Sequence, residues 1–470
     1  MARSSRRNFL RTSVAGGAGV GLSYFVGNQS LGRGLSKSPN EQPVLGFIGC
    51  GIRYHNIVRP AMEYGPAAAL CDVDMLQLGR AKQVVFETNV ELDRPLDVRT
   101  YEDYRHVLDR DDVDAVVIAT PDHWHSKIAV EALQAGKDVY CEKPLTLTIR
   151  EGQQILKALD QTDRIMQVGT QQRTEMDKRF AKAAALVRGG RIGKVKRVTT
   201  AIGGSLECDA LPKTAAPKVL NWDLWLGQTP LVDYRQGDKI HAMGYGAGFP
   251  YSRTHNYFRW WYEYSGGKLT DWGAHHVDVA MWALDLVDGP IGVIEIEPES
   301  VNHPVPFDDH GMPTQDDRFN AAVSFNVKVT LPGGIEMRVR DTADDLGFEN
   351  GIMFEGEEGR FFVNRGKLTG RPVEQLEEDP LPEDALTKLY GRQPPSSHFD
   401  DFFGCMKTRD TPVSDVASHH RAISLCHAVN IAMRLDRKLQ FDTDSEQFIG
   451  DSAANGLVGR EQRKGYEINV

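Results

Sequence analysis

The residues most suited to bind or react with a ligand follow two predicted strands between Asp114 and Pro144. The continuous apolar run 115–119 indicates a strand covered on both faces, and Val139 to Cys141 indicates the next one. The alanine-rich segment between them predicts a helix that ends near Gly136. Such a crossover makes the two strands parallel, and ligands bind outside the carboxyl ends of parallel strands. Lys143, just past the second strand, is therefore expected to meet a ligand rather than solvent.

A second ligand-binding signal lies at the start of the folded chain. The apolar run 44–48 predicts a strand, and Gly49-Cys50-Gly51 follows it at once, as in a loop that approaches a pyrophosphate at a helix N-terminus. The third glycine position of that motif holds Tyr54, which implies a modified turn or a looser helix–strand contact. Asp72 ends the next predicted strand, 21 residues past Gly51, near the spacing of a carboxylate that binds a ribose diol. Its charge favours NAD over NADP, although a helix cap or turn residue is the alternative interpretation.

The composition is that of an ordinary soluble protein with two or three domains. The 470 residues include 55 Lys and Arg against 65 Asp and Glu, a net charge of −10 with no long basic run, which argues against nucleic acid and anionic membranes as partners. No apolar stretch is long enough for a standard membrane span. The six cysteines show no CxxC spacing, so we expect small buried thiols rather than a disulfide framework.

The N-terminus resembles a targeting segment. Ser5-Arg6-Arg7-Asn8-Phe9-Leu10, followed by a mild apolar run, resembles a twin-arginine export signal and predicts a location in the periplasm or cell envelope. A disordered basic tail is the alternative. No clear Ala-x-Ala follows, so the cleavage point stays open, as does retention of the segment as an anchor. Residues 28–42 have the composition of a linker, and 1–42 are left out of the fold.

Several motifs together resemble the Gfo/Idh/MocA family of oxidoreductases. The resemblance is carried by Gly49-Cys50-Gly51, Asp72, Thr120-Pro121 with His125, Glu142-Lys143-Pro144, and the run Gly266 to Asp278 that contains Asp271, Gly273 and His275. It implies an N-terminal Rossmann domain, taken here as residues 43–165. An α/β domain with a large, mostly antiparallel sheet would follow over 166–470, and that sheet often forms a subunit interface, so a homo-oligomer is expected. Two strand–turn–strand patterns, around 332–334 and 356–359, agree with such a sheet.

The resemblance also implies roles for individual residues. Lys143 would hold the reacting hydroxyl and contact the nicotinamide ribose, while His275 would exchange the proton. Asp271 lies four residues before His275, on the same side of a predicted helix, and would orient the imidazole or bind a neighbouring hydroxyl. A cis bond often precedes the residue that matches Pro144. The predicted cofactor contacts are Gly49, Gly51, Asp72, Thr120, Pro121, His125, Glu142 and Lys143.

The substrate contacts are predicted from an aromatic-rich segment, 257–264. Aromatic planes accept the C–H faces of sugar rings, but the edge of a hydrophobic core would have the same composition. The candidates are Arg173, His255, Arg259 and Trp261. No metal is expected, because the lysine motif already explains Asp271 and His275; His276 is interpreted as a packed helix residue, and 122–125 as a loop beside the cofactor.

These observations predict an exported, NAD-dependent oxidoreductase that acts on a secondary hydroxyl of a sugar or polyol. Little free NAD exists outside the inner membrane, so we expect the cofactor to stay bound through turnover. An alternative is a glycoside hydrolase in which transient oxidation labilises a neighbouring C–O bond and the ring is then reduced again. A non-catalytic protein that binds a nucleotide and a sugar is a third interpretation, against which Lys143 and His275 argue.

Overall fold

The computed structural model describes residues 42–94, 97–240 and 248–470. The twin-arginine motif and the linker lie outside these ranges. In the described part of the chain, no helix combines the length and the apolar character needed to cross a bilayer.

A parallel sheet forms the first part of the fold. Its strands are β1 (Leu45–Ile48), β2 (Ala67–Cys71), β3 (Arg99–Tyr101), β4 (Ala115–Ile118), β5 (Asp138–Glu142) and β6 (Met166–Gly169), in the order β3-β2-β1-β4-β5-β6. The helices that connect them are α1 (Ile52–Met62), α2 (Met75–Glu91), α3 (Arg105–Leu108), α4 (Asp122–Gln134) and α5 (Ile149–Asp160). This is the doubly wound order that reverses beside β1, where such sheets bind dinucleotides.

Two sequence expectations about this sheet are corrected. β6 pairs in parallel with β5, from Met166 beside Val139 to Gly169 beside Glu142, so a domain boundary after residue 165 falls one strand too early. Residues 122–125 form the first turn of α4 rather than a loop. Pro121 is the N-cap residue just before that helix, with φ −58°. Its nitrogen carries no N–H, and at this position a helix has no carbonyl oxygen to accept one.

A second, mixed sheet follows, in which most strand pairs are antiparallel. Its strands are β7 (Val195–Ala201), β10 (Val293–Asn302), β11 (Ser324–Thr330), β12 (Glu336–Arg340), β13 (Gly351–Gly356), β14 (Arg360–Val363), β15 (Leu368–Thr369), β16 (Leu439–Asp442) and β17 (Gln447–Phe448). They run in the order β15-β14-β13-β7-β12-β11-β10-β16-β17, and only β7 with β12 is a parallel pair among these described strands. Both predicted hairpins, β11–β12 and β13–β14, are confirmed. A small separate ribbon pairs β8 (Gln236–Ile240) with β9 (Pro250–Ser252).

Helices cover one face of the second sheet. The main core with this sheet is built by α6 (Arg179–Arg188), α8 (Gly267–Ala283) and α12 (Val416–Leu435). The other helices of this part of the chain are α7 (Trp222–Leu226), α9 (Arg371–Glu374), α10 (Ala385–Tyr390), α11 (His398–Thr408) and α13 (Ser452–Gly456). The strand alternation agrees, since Phe325, Val327 and Val329 of β11 are buried while their neighbours are half-exposed.

The C-terminal part of the chain returns to the first sheet. Phe399, Phe402 and Phe403 of α11 pack in the core beneath β1 and β5, with the Phe399 ring 4.6 Å from that of Tyr140. Val416 and Ile468 enter the core on the other face. The two sheets are therefore held together by a chain that crosses between them more than once.

Arg173 is part of that connection and not of a binding surface. It follows β6 in a short 3₁₀ turn, is 1% exposed, and binds both carboxylate oxygens of Asp278 on α8 at 2.8 Å. Its remaining nitrogen donates to the carbonyl oxygen of Val413 and to Ser418 at the start of α12. These contacts use its donors inside the core and correct the expectation that Arg173 contacts a substrate.

We expect Arg173→Met to lower the free energy of unfolding by about 3–5 kcal/mol, because the Asp278 carboxylate would stay buried without its partner. Urea denaturation followed by fluorescence measures the change. Lys213→Met is the matched control, since Lys213 pairs with Asp233 and both side chains are 63% exposed; little change is expected there. Equal losses in the two variants would contradict this account of the buried pair.

Candidate active site

A cavity of about 700 Å³ opens at the carboxyl edge of the parallel sheet. Residues of the loops after β1, β2, β4 and β5 line it on one side, and residues of α8, of the 3₁₀ helix His255–Trp260 and of the loop after β14 line the other. The predicted nucleotide loop and the predicted reacting residues thus share one enclosure.

The two glycines of the loop after β1 fit a dinucleotide for different reasons. Gly49 has φ +87°, and a Cβ there would lie 2.5 Å from the backbone nitrogen of Thr120. Gly51 precedes the first turn of α1, and a Cβ there would meet no protein atom within 4 Å, because its free side is in the cavity. A helix N-terminus with open space before it is suited to a pyrophosphate.

Tyr54 explains the missing third glycine. Its fully buried ring packs edge-on against Phe47 of β1, with centroids 5.5 Å apart, and its hydroxyl donates to the carbonyl oxygen of Ala81 on α2. The aromatic ring therefore fills the space between the strand and the two helices, and the contact is packed rather than loose.

Asp72 lies on the cavity wall beside this loop. Its carboxylate accepts hydrogen bonds from the backbone nitrogens of Cys50 at 2.6 Å and Asp74 at 2.8 Å. Burial raises the pKa of Asp72 to about 6, against the lowering effect of these two donors. The group is thus mainly ionised at neutral pH, and each oxygen keeps a lone pair that a ribose hydroxyl can use.

The loop after β4 contributes Thr120 and Pro121 to the cavity wall, but His125 lies behind it. The ring nitrogens of His125 lie 2.6 Å from the carbonyl oxygen of Pro144 and 2.9 Å from that of Thr120. His125 therefore joins the loops after β4 and β5, and it acts on a bound cofactor only through them. The Lys143–Pro144 peptide bond is cis.

Lys143 and Glu142 both end in ion pairs. The Lys143 ammonium donates to the carboxylate of Asp271 at 2.6 Å and to its backbone carbonyl oxygen at 2.9 Å. Glu142 accepts from Arg53 and Gln171, each at 2.8 Å. Burial alone would raise the pKa of both carboxyl groups, but the cations beside them hold each pKa below its usual range.

His275 lines the same cavity one helical turn after Asp271 and is 5% exposed. Burial, with the nearby charges of Lys143 and Arg365, holds its pKa well below the ordinary value. The imidazole is therefore neutral at physiological pH, the form that accepts a proton. Its Nδ1 has no hydrogen-bond partner among the described residues.

Of the remaining substrate candidates, Arg259 and His255 line the cavity and Trp261 does not. Arg259 lines the cavity, with its Nε 3.6 Å from the Asp271 carboxylate. His255 also lines it but binds Asp74 at 2.9 Å, which places it at the Asp72 end. Trp261 is fully buried in an aromatic core, and the cavity is lined instead by its neighbour Trp260. Trp261 is thus corrected to a core residue, the alternative interpretation of the aromatic segment.

The cavity residues that sequence reasoning missed include three cations and a tryptophan near the reacting groups: Arg53, Lys268, Arg365 and Trp272. A signal existed for two of them, since Lys268, Asp271, Trp272 and His275 recur at the spacing of one helical face. The opposite face of α8, with Leu269, Ala274 and Val277, packs into the core. The sequence around Arg53 and Arg365 carries no comparable pattern.

The side chains of His276 and Asp278 on α8 bind other protein side chains and do not converge on a metal site. His276 contacts the Asn350 amide oxygen at 3.0 Å, and Asp278 is held by Arg173. Within residues 42–94, 97–240 and 248–470, no group of three or more His, Cys, Asp or Glu is arranged to hold a metal ion.

Two family models match the chain. One, described as an oxidoreductase family with an NAD-binding Rossmann fold, matches residues 45–170, and one for the C-terminal alpha/beta domain of that family matches 378–468. The chain belongs to the Gfo/Idh/MocA oxidoreductase family. As a Gfo/Idh/MocA protein it has an NAD-binding Rossmann domain that includes β6 and the whole edge of the cavity built by the first sheet.

Curated relatives and solved structures agree with this assignment. Proteins named glycosyl hydrolase family 109 protein are 32% identical over 174 residues in Solibacter usitatus and 33% identical over 176 residues in Shewanella baltica OS185. These alignments cover 35% and 34% of this chain and 38% of each relative, so the chain matches well under half the length of these curated relatives.

Solved structures match over a larger share. The WlbA dehydrogenase from Bordetella pertussis, in complex with NADH and UDP-GlcNAcA, has a TM-score of 0.56 at 18% identity and covers 85% of this chain and 97% of its own. A levoglucosan dehydrogenase in complex with NADH and L-sorbose has a TM-score of 0.54 at 18% identity, with coverage of 85% and 98%. At this identity they show the fold.

Replacing Lys143 by Met is expected to raise the pKa of His275, because a nearby cation that opposes protonation is removed. Histidine-labelled NMR titration measures it, with His275→Gln to assign the resonance. Lys182→Met, an exposed change on α6, serves as the control and leaves that pKa unchanged. A titration of His275 that is identical in the wild type and Lys143→Met would contradict the electrostatic coupling.

Proposed function

We propose that this protein is an NAD-dependent oxidoreductase that removes a hydride from a secondary carbinol of a sugar, polyol or derivative. The observation that supports it best is the Lys143 ammonium, fixed by Asp271 at 2.6 Å in the same cavity as neutral His275 and the nucleotide loop. A cation, a base and a cofactor site in one enclosure are the requirements of carbinol oxidation.

The residues divide the work as follows. Gly49, Gly51 and Asp72 would hold the NAD, whose nicotinamide accepts the hydride. Lys143 would donate a hydrogen bond to the reacting oxygen and stabilise the negative charge that develops there as the O–H proton leaves. His275 takes the O–H proton, so that a C=O bond forms and charge is conserved. Asp271 keeps the Lys143 ammonium in position, and its charge offsets the imidazolium that results.

The second domain supports retention of the cofactor. Its backbone bonds to the loop after β2, with Met75 N to Val219 O and Asn221 N to Val73 O both 2.9 Å, and His255 binds Asp74. Phe249, Leu220 and Trp225 line the cavity beyond Asp72. The Asp72 end of the cavity is thus walled by both domains, which favours slow release of a bound nucleotide.

Retention of the bound NAD would be needed in an exported protein, because little free NAD exists outside the inner membrane. We propose that the twin-arginine signal at Arg6 and Arg7 sends the folded protein to the periplasm or cell envelope with NAD already bound. A protein that cannot exchange NAD must return the hydride within the same cavity. One sugar would then be oxidised and a second sugar or ketone reduced.

An NAD-cycling glycoside hydrolase is the second candidate. The similarity of about a third of the chain (35% and 34% in two alignments) to proteins named glycosyl hydrolase family 109 favours it. Here the same oxidation would acidify the neighbouring C–H. Loss of that proton would break the glycosidic C–O bond by elimination, and the alcohol attached to it would depart. Water would then add to the resulting double bond, and the hydride would return to the carbonyl carbon of the ring.

Self-association is also proposed, through the outer face of the second sheet. Its side chains there are charged and half-exposed, with Arg338 paired to Glu299 and Arg197 to Glu336. Light scattering of the purified protein would measure a mass at least twice that of one chain; a monomer at all concentrations would refute it.

Purified protein is expected to carry NAD close to one per chain without added nucleotide, and a sugar or glycoside is expected to reduce it in place. Denaturation and nucleotide assay give the first quantity, and nicotinamide absorbance gives the second. Lys143→Met lowers turnover at least about 100-fold while NAD stays bound. Glycoside cleavage without net reduction would favour the hydrolase, and an empty protein that turns over only with added NAD would contradict the closed cycle.

Asp72→Ser is expected to increase the share of NADP among the bound nucleotides by about tenfold, because the repulsion of a 2′-phosphate is removed. Released nucleotides are quantified after expression in the same host. Asp97→Ser, an exposed change before β3, leaves the ratio unchanged. An NADP share that does not respond to Asp72→Ser would show that another group discriminates.

A further inference from the structure

Two cations on the cavity wall have no carboxylate within ion-pair distance in the described part of the chain. They are Lys268, at the start of α8, and Arg365, after β14. The other cavity cations are paired: Arg53 with Glu142, and Lys143 and Arg259 with Asp271. Glu175 and Asp122 also line the cavity, but Asp122 accepts a hydrogen bond from Ser265, and neither carboxylate forms an ion pair there.

The two unpaired cations lie on one aromatic side chain. The Lys268 ammonium lies 5.6 Å and the Arg365 guanidinium 4.5 Å from the centre of the Trp272 ring, and Lys268 also lies 5.9 Å from Trp260. Aromatic faces stabilise cations, but they leave donors available to a ligand. The side-chain amide of Gln172 lies between His275 and Arg365. When its nitrogen is assigned to face the His275 carbonyl oxygen at 3.2 Å, its oxygen accepts from Arg365 Nε at 3.1 Å, which holds that side chain near the reacting histidine.

Of these two cations, Lys268 is the one that burial makes costly, since Arg365 is exposed. Lys268 is half-buried, and burial together with the charges of Lys143 and Arg259 lowers its pKa, although Asp271 opposes the shift. Three cations near one carboxylate repel each other unless an anion joins them. Both cations lie over Trp272 on the α8 side, with Asp271 and His275, and the charge of Arg53 on α1 also acts on Arg365. Their place beside the reacting histidine suits them to the substrate.

We propose that the substrate is an anionic sugar, bearing a carboxylate or a sulfate, whose charged group binds Lys268 and Arg365. This inference rests on the proposed sugar chemistry of the cavity and names its substrate class. The Arg365 guanidinium matches a planar or tetrahedral oxyanion, and Lys268 adds a point charge. Trp260 and Trp272 offer their faces to the C–H groups of the same ring. The anion is thus a second anchor that sets which carbinol reaches Lys143 and His275.

Binding to the purified holoprotein tests this directly, followed by quenching of tryptophan fluorescence. Methyl glucuronide and methyl galacturonide are compared with the neutral methyl glucoside and galactoside, and glucose 6-sulfate with glucose. We expect the anionic member of at least one pair to bind about tenfold or more tightly. The uronide and sulfate arms distinguish the two anions.

Lys268→Met and Arg365→Met are expected to remove most of that preference, while Lys268→Arg keeps it. Lys367→Met is the control, because Lys367 is exposed two residues from Arg365, over Phe362, and does not line the cavity. Equal binding of neutral and anionic sugars would overturn the inference, as would a preference that survives both Met variants. Oxidation of neutral sugars without any preference overturns this inference alone. Preferential binding with no reduction of NAD would refute the proposed oxidation and support the anion site.

Discussion

The ion pair between Lys143 and Asp271 is the contact on which the site depends. Lys143 directly follows the β5 strand of the parallel sheet, and Asp271 lies on α8, a helix of the second core. Each side chain is only 14% exposed, so the pair is desolvated and its geometry is set by both domains. An unpaired ammonium at this position would be expensive to bury. The pair thus makes a charged, aligned lysine compatible with an enclosed cavity, and it couples the docking of the domains to the assembly of the chemistry.

Several other contacts serve the same end from further away. The Arg173–Asp278 pair anchors α8 to the turn after β6, seven residues past Asp271 on the same helix. His125 joins the carbonyl oxygens of Thr120 and Pro144 and so fixes the two loops that flank the lysine. The side chains of Arg173, Asp278 and His125 do not line the cavity. Their effect is to limit the motion of Lys143 relative to His275, on which the rate of an oriented transfer depends.

The sequence predicted the strand ends well because the signal there is local. A buried strand reads as an apolar run, and the residue after it must lie at the sheet edge, so Gly49, Asp72, Thr120 and Lys143 were all placed on the cavity wall. The prediction that Trp261 contacts the substrate was wrong by one position, because Trp260 lines the cavity instead. The 3₁₀ helix ends at Trp260 and the backbone becomes extended at Trp261, which turns the second ring into the core. Trp260 and Trp261 are the same residue type at adjacent positions, so only the backbone geometry decides which ring lines the cavity and which lies in the core.

Arg173 and Arg365 show the other limit. Both are single arginines in short turns, and the fate of each depends on what distant segments bring near it. Asp278 meets Arg173 because α8 packs beside the turn after β6, whereas the charges of Asp271, Glu142 and Glu175 act on Arg365 without any described carboxylate forming an ion pair with it. Non-local pairing of this kind leaves no periodic trace. The same packing gives the cavity its charge: one helix face supplies Lys268, Asp271 and His275, and the loop after β14 adds Arg365. In either proposed reaction, oxidation of a sugar or cleavage of a glycoside, the first hydride would leave a ring held in that field, so substrate selection and chemistry would share one electrostatic origin.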